Sequence, residues 1–219
     1  MSFLDTIDEL ERGEEEGVMK VARESISTET EKEYCLWVKP TAEGWEWLRE
    51  QQASMYIDTL MPINRGKRRV RLTEDHKAVL TVKRFADEGC IEENSDIGFD
   101  TALTFYQDDF VSHLVKRIHL PAGELEAKGG KHWDIDVFYR AGGHPQLLNA
   151  DDYDALLNTM KQGSSYGEWV KVELEVERFE MESIREHIPF AVEDVIPSRP
   201  TKPEDQEFIR NYWDVDTRL

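Results

Sequence analysis

Val170-Lys171-Val172-Glu173-Leu174-Glu175-Val176-Glu177 alternates apolar and ionic residues without a break. That two-residue period is the signature of a strand with one face in a core and the other face charged. Glu173, Glu175 and Glu177 share the ionic side with Lys171. Same-face neighbours on a strand stand about 7 Å apart, so these carboxylates repel one another unless water or cations neutralise them.

The alternation returns along the chain, and the sign of the charge changes from strand to strand. Glu31 and Glu33 oppose Tyr34, Leu36 and Val38; Arg69, Arg71 and Thr73 oppose Val70 and Leu72; Thr81 and Lys83 oppose Leu80 and Val82. Arg117 and His119 oppose Ile118 and Leu120, and Asp134 and Asp136 oppose Trp133, Ile135, Val137 and Tyr139. One strand of this kind is accounted for by a sheet with one face in water. Six of them point to a sheet that curls until it closes, with apolar faces outward beneath helices and charged faces lining a lumen where acids hold metal and Arg or Lys hold a polyanion.

The 219 residues, 39% of them hydrophobic, suit one large domain with a true core. A formal charge of −19 and a pI near 4.7 argue against general nucleic-acid binding or an anionic membrane surface, though not against a small anion carried by a divalent metal. No stretch approaches the roughly 20 apolar residues of a membrane span, and the amino terminus has no basic segment followed by an apolar run, so the expected location is cytoplasmic. Cys35 and Cys90 are too few for a disulfide framework and read as reduced thiols. The six histidines form no HExxH or His-x-His pair, and no zinc site is expected.

Three segments are expected. Residues 1–25 form an acidic, helical extension with Phe3, Leu4, Ile7 and Leu10 at helical spacing; residues 26–195 form the main domain; residues 196–219 hold a proline-rich connector and a capping helix bearing Phe208, Ile209, Tyr212 and Trp213. Within the main domain, helices are expected from Pro40 to Gln52, Asp100 to Leu114 and Asn149 to Met160. Strands are expected near 55–60, 67–73, 78–84, 90–97, 115–121 and 131–139, besides the first and last acidic strands.

The order of motifs over roughly residues 29–180 resembles the CYTH superfamily, the triphosphate tunnel metalloenzymes. Glu31-Lys32-Glu33-Tyr34-Cys35 is similar to the family's opening Glu-x-Glu-x-Lys, with Cys35 where the family has lysine. Tyr56-Ile57-Asp58, Arg69-Val70-Arg71 and Thr81-Val82-Lys83 follow in the family's order, then Glu92-Glu93-Asn94 and Lys116-Arg117-Ile118-His119. Trp133-Asp134-Ile135-Asp136-Val137-Phe138 and Glu173-Leu174-Glu175 complete the series. The resemblance implies an α+β fold, a closed antiparallel eight-stranded β-barrel covered outside by helices.

It also implies a chemistry: hydrolysis, dependent on Mg²⁺ or Mn²⁺, of inorganic triphosphate, a nucleoside triphosphate or a similar substrate. The metal ligands implied are Glu31, Glu33, Glu173 and Glu175, with Glu92 and Asp136 nearby; such hard cations take oxygen donors. Arg69, Arg71, Lys83 and Arg117 are the implied phosphate clasp, the guanidiniums acting as bidentate donors. The catalytic set is Glu31, Glu33, Lys83 and Arg117. Cys35 removes one cation from that clasp, and Lys32 faces the other way. Other readings stay open: a class IV type adenylyl cyclase, a catalytically weak nucleotide or polyphosphate binder, or a structural network pairing Arg69 and Arg71 with Glu173 and Glu175. His119 is either a general acid or a hydrogen-bonded strand residue. The expected partner is a small anionic triphosphate, with no membrane, in a monomer or homodimer.

Overall fold

A computed structural model describes residues 23–29, 32–63, 66–86, 89–107, 111–139, 147–162, 166–176 and 184–197. The expected helical extension before residue 23 and the capping helix near the carboxyl end lie outside the described residues, as do Glu31 and Glu177. The strands are β1 Arg23–Glu29, β2 Lys32–Pro40, β3 Ser54–Ile63, β4 Gly66–Thr73, β5 Ala78–Ala86, β6 Gly89–Ile97, β7 Val111–Pro121, β8 Gly130–Tyr139, β9 Tyr166–Val176 and β10 Val192–Pro197. The helices are α1 Ala42–Glu50, α2 Phe99–Gln107 and α3 Ala150–Gln162.

All ten strands join one sheet in the order β1-β6-β5-β4-β3-β7-β8-β9-β2-β10, every pairing antiparallel. This corrects the expected closed eight-stranded β-barrel. β1 pairs with β6 and β10 pairs with β2, and these two outermost strands do not pair with each other, so the described sheet is open and not closed into a barrel. The reason lies in two strands the alternation did not announce. Arg23–Glu29 carries no apolar stripe, and Val192–Pro197 places Glu193 and Asp194 side by side with Ile196 as its sole buried residue. β10 ends in Pro197, which has no N–H to offer a further strand, as suits an edge.

The helices cover one face. Val70, Leu72, Ile57 and Met61 on that face join α2 through Ala102, Leu103 and Tyr106, and α3 through Tyr153, Leu157 and Met160. Farther along the sheet, Val38, Ile118, Ile135, Val172 and Leu174 join Leu48 of α1, Leu125 and Phe190 in a second cluster. Each fully buried aliphatic side chain there contributes about 1.5–3 kcal/mol.

Local chemistry explains the helix ends. Thr41 caps α1 by accepting the Gly44 N–H at 3.1 Å. Gly44 itself is required by crowding: a Cβ there would run into the Ala191 carbonyl oxygen. At the other end, the buried Lys116 ammonium donates to the Leu48 carbonyl at 2.9 Å, satisfying an acceptor of the last turn. Burial, then Arg49, lowers the Lys116 pKa. Helix α2 stops seven residues short of the expected Leu114, because Val111 to Leu114 pair with β3 instead. No described helix is long and apolar enough to cross a membrane.

Candidate functional site

The opposite face of the sheet carries the charges, and strand register decides which of them meet. Asp58 on β3 stands opposite Arg71 on β4, and both stay on this face by the two-residue period. Arg71 grips Asp58 through a fork, Nε to Oδ1 at 2.7 Å and Nη2 to Oδ2 at 2.8 Å. Arg117 on β7 stands opposite Asp136 on β8 and forms a second fork, Nε to Oδ1 and Nη2 to Oδ2, both at 2.7 Å.

Tyr56 sits between the two forks. Its ring lies under Arg71, with Cζ 3.7 Å from the centroid, and Arg117 Cζ is 5.7 Å away on the same ring. Its hydroxyl donates to Asp136 Oδ1 at 3.1 Å. Burial, followed by the charges of Asp136 and Asp58, pushes the Tyr56 pKa well up, so it remains the donor. Burial alone would raise the Asp136 pKa, but the Arg117 hydrogen bonds outweigh it and hold the carboxyl below its usual range.

Toward β6 the network continues through Lys83 Nζ to Glu92 Oε2 at 2.7 Å, Asn94 Nδ2 to Glu92 Oε1 at 3.0 Å and Thr81 Oγ1 to Asn94 Oδ1 at 2.7 Å. Toward β9, Arg117 reaches Asp134 at 3.1 Å and Glu173 at 3.5 Å, while Lys171 Nζ lies 2.5 Å from Glu173 Oε1. Burial opposes the charge on Lys171, but the carboxylate of Glu173 overcomes it and the pKa is raised. These side chains are half-buried or buried although the described helices all pack on the other face: Lys83 and Glu92 are 17% and 16% exposed, Arg117 22% and Asp136 only 6%.

Arg69 is the exception in this network. Its nearest contacts are loose, 3.4 Å to Thr81 Oγ1 and 4.0 Å to Asp58 Oδ2, and its Nε is buried with no hydrogen-bond partner among the described residues. A buried unsatisfied donor of this kind is costly, by about 1–3 kcal/mol, and calls for an acceptor.

The face has an apolar end as well. Trp37, Tyr56, Val115, Phe138, Trp169 and Ile196 form a cluster beside the ion pairs, on the same side as Lys171 and Asp136. At the far end of β7 and β8, His119 Nδ1 lies 2.8 Å from Asp134 Oδ1 and His132 Nε2 lies 3.2 Å from Glu175 Oε2.

No protein-family model matches this chain, and no curated protein matches it. Among solved structures, the chain is similar to that reported as the crystal structure of the hypothetical protein NE1496, at 16% identity and a TM-score of 0.40, over 77% of this chain and 90% of that one.

The sequence-expected site residues thus fall into three groups. Arg69, Arg71, Lys83, Glu92, Arg117, Asp136 and Glu173 belong to one continuous network. Glu175 stands at its end, engaged by His132 and by Lys131 at 3.5 Å. Glu33 is placed only by register, opposite Glu175 in the β2–β9 pair, and Glu31 lies outside the described residues. The expected rival pairing of Arg69 and Arg71 with Glu173 and Glu175 does not form; Asp58 takes both arginines. Asp58, Tyr56 and Lys171 are members that sequence reasoning did not assign to the site. Cys35 on β2 stands opposite Glu173 on β9 in register, and Lys171, two residues before Glu173 on β9, provides a cation beside that carboxylate.

Proposed function

We propose that the ionic face binds a small triphosphate as its Mg²⁺ or Mn²⁺ complex and hydrolyses it. The incompletely satisfied guanidinium of Arg69 carries this reading, because a phosphate oxygen is the acceptor its buried Nε lacks among the described residues. Arg71, Lys83 and Arg117 share the face with it and are held in place by Asp58, Glu92 and Asp136. Rotamer freedom is therefore spent before the ligand arrives.

Charge balance explains why the ligand is a metal complex. In this network Arg69, Arg71, Lys83, Arg117 and Lys171 face the carboxylates of Asp58, Glu92, Asp134, Asp136 and Glu173, so a bare polyanion finds no net positive field. A phosphate that draws Arg117 or Lys171 toward itself loosens the contacts of Glu173, and Glu173 and Glu175 offer oxygen donors of the kind a hard cation takes. The cation, when bound, neutralises developing phosphate charge and activates water. The order of sequence motifs, which resembles the triphosphate tunnel metalloenzymes, supports the same substrate class.

Incubation of the protein with tripolyphosphate, a nucleoside triphosphate and thiamine triphosphate, with Mg²⁺ or Mn²⁺, is expected to release phosphate, and Glu173→Gln to suppress that release. Cyclic nucleotide in place of phosphate would move the reading to a cyclase, and saturable binding without turnover to a binder. No metal-dependent binding of any of the three would overturn it.

A further inference from the structure

A cluster of imidazole and carboxylate groups at the end of β7 and β8 has no part in the phosphate clasp. His119 stands opposite Asp134 in register, and His132 precedes Asp134 by two residues, which puts both on the same side of β8. Glu175 on β9 stands opposite His132. The ligand atoms of His119, His132 and Asp134 all lie within 4.8 Å of one another, and the two rings are 4.4 Å apart by centroid. His132 Nε2 is also 3.2 Å from Glu175 Oε2 and 3.9 Å from Asp134 Oδ2.

From this geometry we infer that His119, His132, Asp134 and Glu175 form a site for a borderline divalent metal of the zinc and cobalt class. Two imidazole nitrogens and two carboxylates are the donor set such ions select, whereas Mg²⁺ and Ca²⁺ prefer oxygen alone. Tetrahedral coordination at about 2.0–2.2 Å per ligand needs donor atoms within a few ångströms of one another, as those of His119, His132 and Asp134 are, and Glu175 Oε2 lies 3.2 Å from His132 Nε2. Binding exchanges the His119 to Asp134 contact for two bonds to the ion.

The surroundings fit this use. Arg117 Nη1 donates to Asp134 Oδ2 at 3.1 Å and fixes that carboxylate, leaving Oδ1 directed at His119. The His119 side chain is 64% exposed, so an ion enters from solvent without the sheet moving. Glu175 is shared with the hard-cation donors of the triphosphate reading, whereas the two imidazoles have no part in it, so the site goes beyond that reading.

The test is a titration of the full chain with Co²⁺, read by its visible absorption, and with Zn²⁺, read by competition against a chromophoric chelator. One ion per chain is expected at micromolar affinity, with the intense absorption of a four-coordinate cobalt site and no displacement by excess Mg²⁺. His119→Ala and His132→Ala are each expected to weaken binding by more than the roughly tenfold that follows loss of a supporting partner alone. Cys35→Ser should leave it unchanged. The circular dichroism of the exposed His119 variant checks that the fold persists. Binding that survives both histidine variants, that disappears with Cys35→Ser, or that is absent in the parent chain overturns the assignment.

Discussion

Ile135 and Asp136 are neighbours on β8, both buried, and they are held by unlike means. Ile135 is surrounded by aliphatic side chains of β7, β9 and the covering elements, where each contact is weak and the sum is large. Asp136 is surrounded by three donors from two side chains: the Arg117 fork and the Tyr56 hydroxyl. On the first face a substitution is felt in proportion to the volume removed. On the second it is felt through the partner left behind.

Asp136→Ala should therefore be the more damaging of the pair, lowering stability by about 3–5 kcal/mol in urea unfolding, because Arg117 remains half-buried with its main partner gone. Arg117→Met combined with Asp136→Leu should recover most of that loss, since no charge is then stranded. If the double variant is as unstable as the single, the distinction between the two faces fails.

Acid titration sharpens the same point. Burial raises the pKa values of Asp136 and Glu92, but hydrogen bonds from Arg117 to Asp136, and from Lys83 and Asn94 to Glu92, prevail and depress them below the unfolded value near 4. The stability each contributes is complete above that unfolded value and is lost as pH falls through the depressed folded one. Asp136→Asn should flatten the acid limb of a stability-against-pH curve below about pH 4 relative to the parent chain.

The apolar side predicts smaller, graded effects. Gly44→Ala should destabilise by about 1–3 kcal/mol, because the Ala191 backbone must move away from α1. Ile135→Val should cost about 0.5–1.5 kcal/mol, one methylene of packing. Arg84→Ala removes an exposed pair with Glu93 at 3.2 Å between β5 and β6 and should change stability by less than about 1 kcal/mol. Thermal or urea unfolding separates the three.

How far the sequence revealed this arrangement follows from the same contrast. Alternation identifies faces, so the ionic membership of Arg69, Arg71, Lys83, Arg117, Asp136 and Glu173 was legible from Val70, Val82, Ile118, Ile135 and Leu174 between them. Alternation does not set which strands pair or in what register, and so Asp58 went unnoticed as the partner of Arg71. His119 and His132 lie on opposite arms of the β7–β8 hairpin, where no short spacing motif joins them. Closure was equally illegible. An open sheet and a closed barrel share one period, and the deciding fact is that β1 and β10 stand at the two edges of this sheet.

Calorimetric titration of tripolyphosphate with Mg²⁺ into the parent chain and into Arg69→Ala addresses the ionic face as a ligand site most directly. The account predicts saturable binding by the parent chain, weakened at least about tenfold by loss of one charge-assisted guanidinium contact, with unfolding stability unchanged or improved because the orphaned Nε is gone. Equal affinity in the two proteins, or no binding in either, would contradict it.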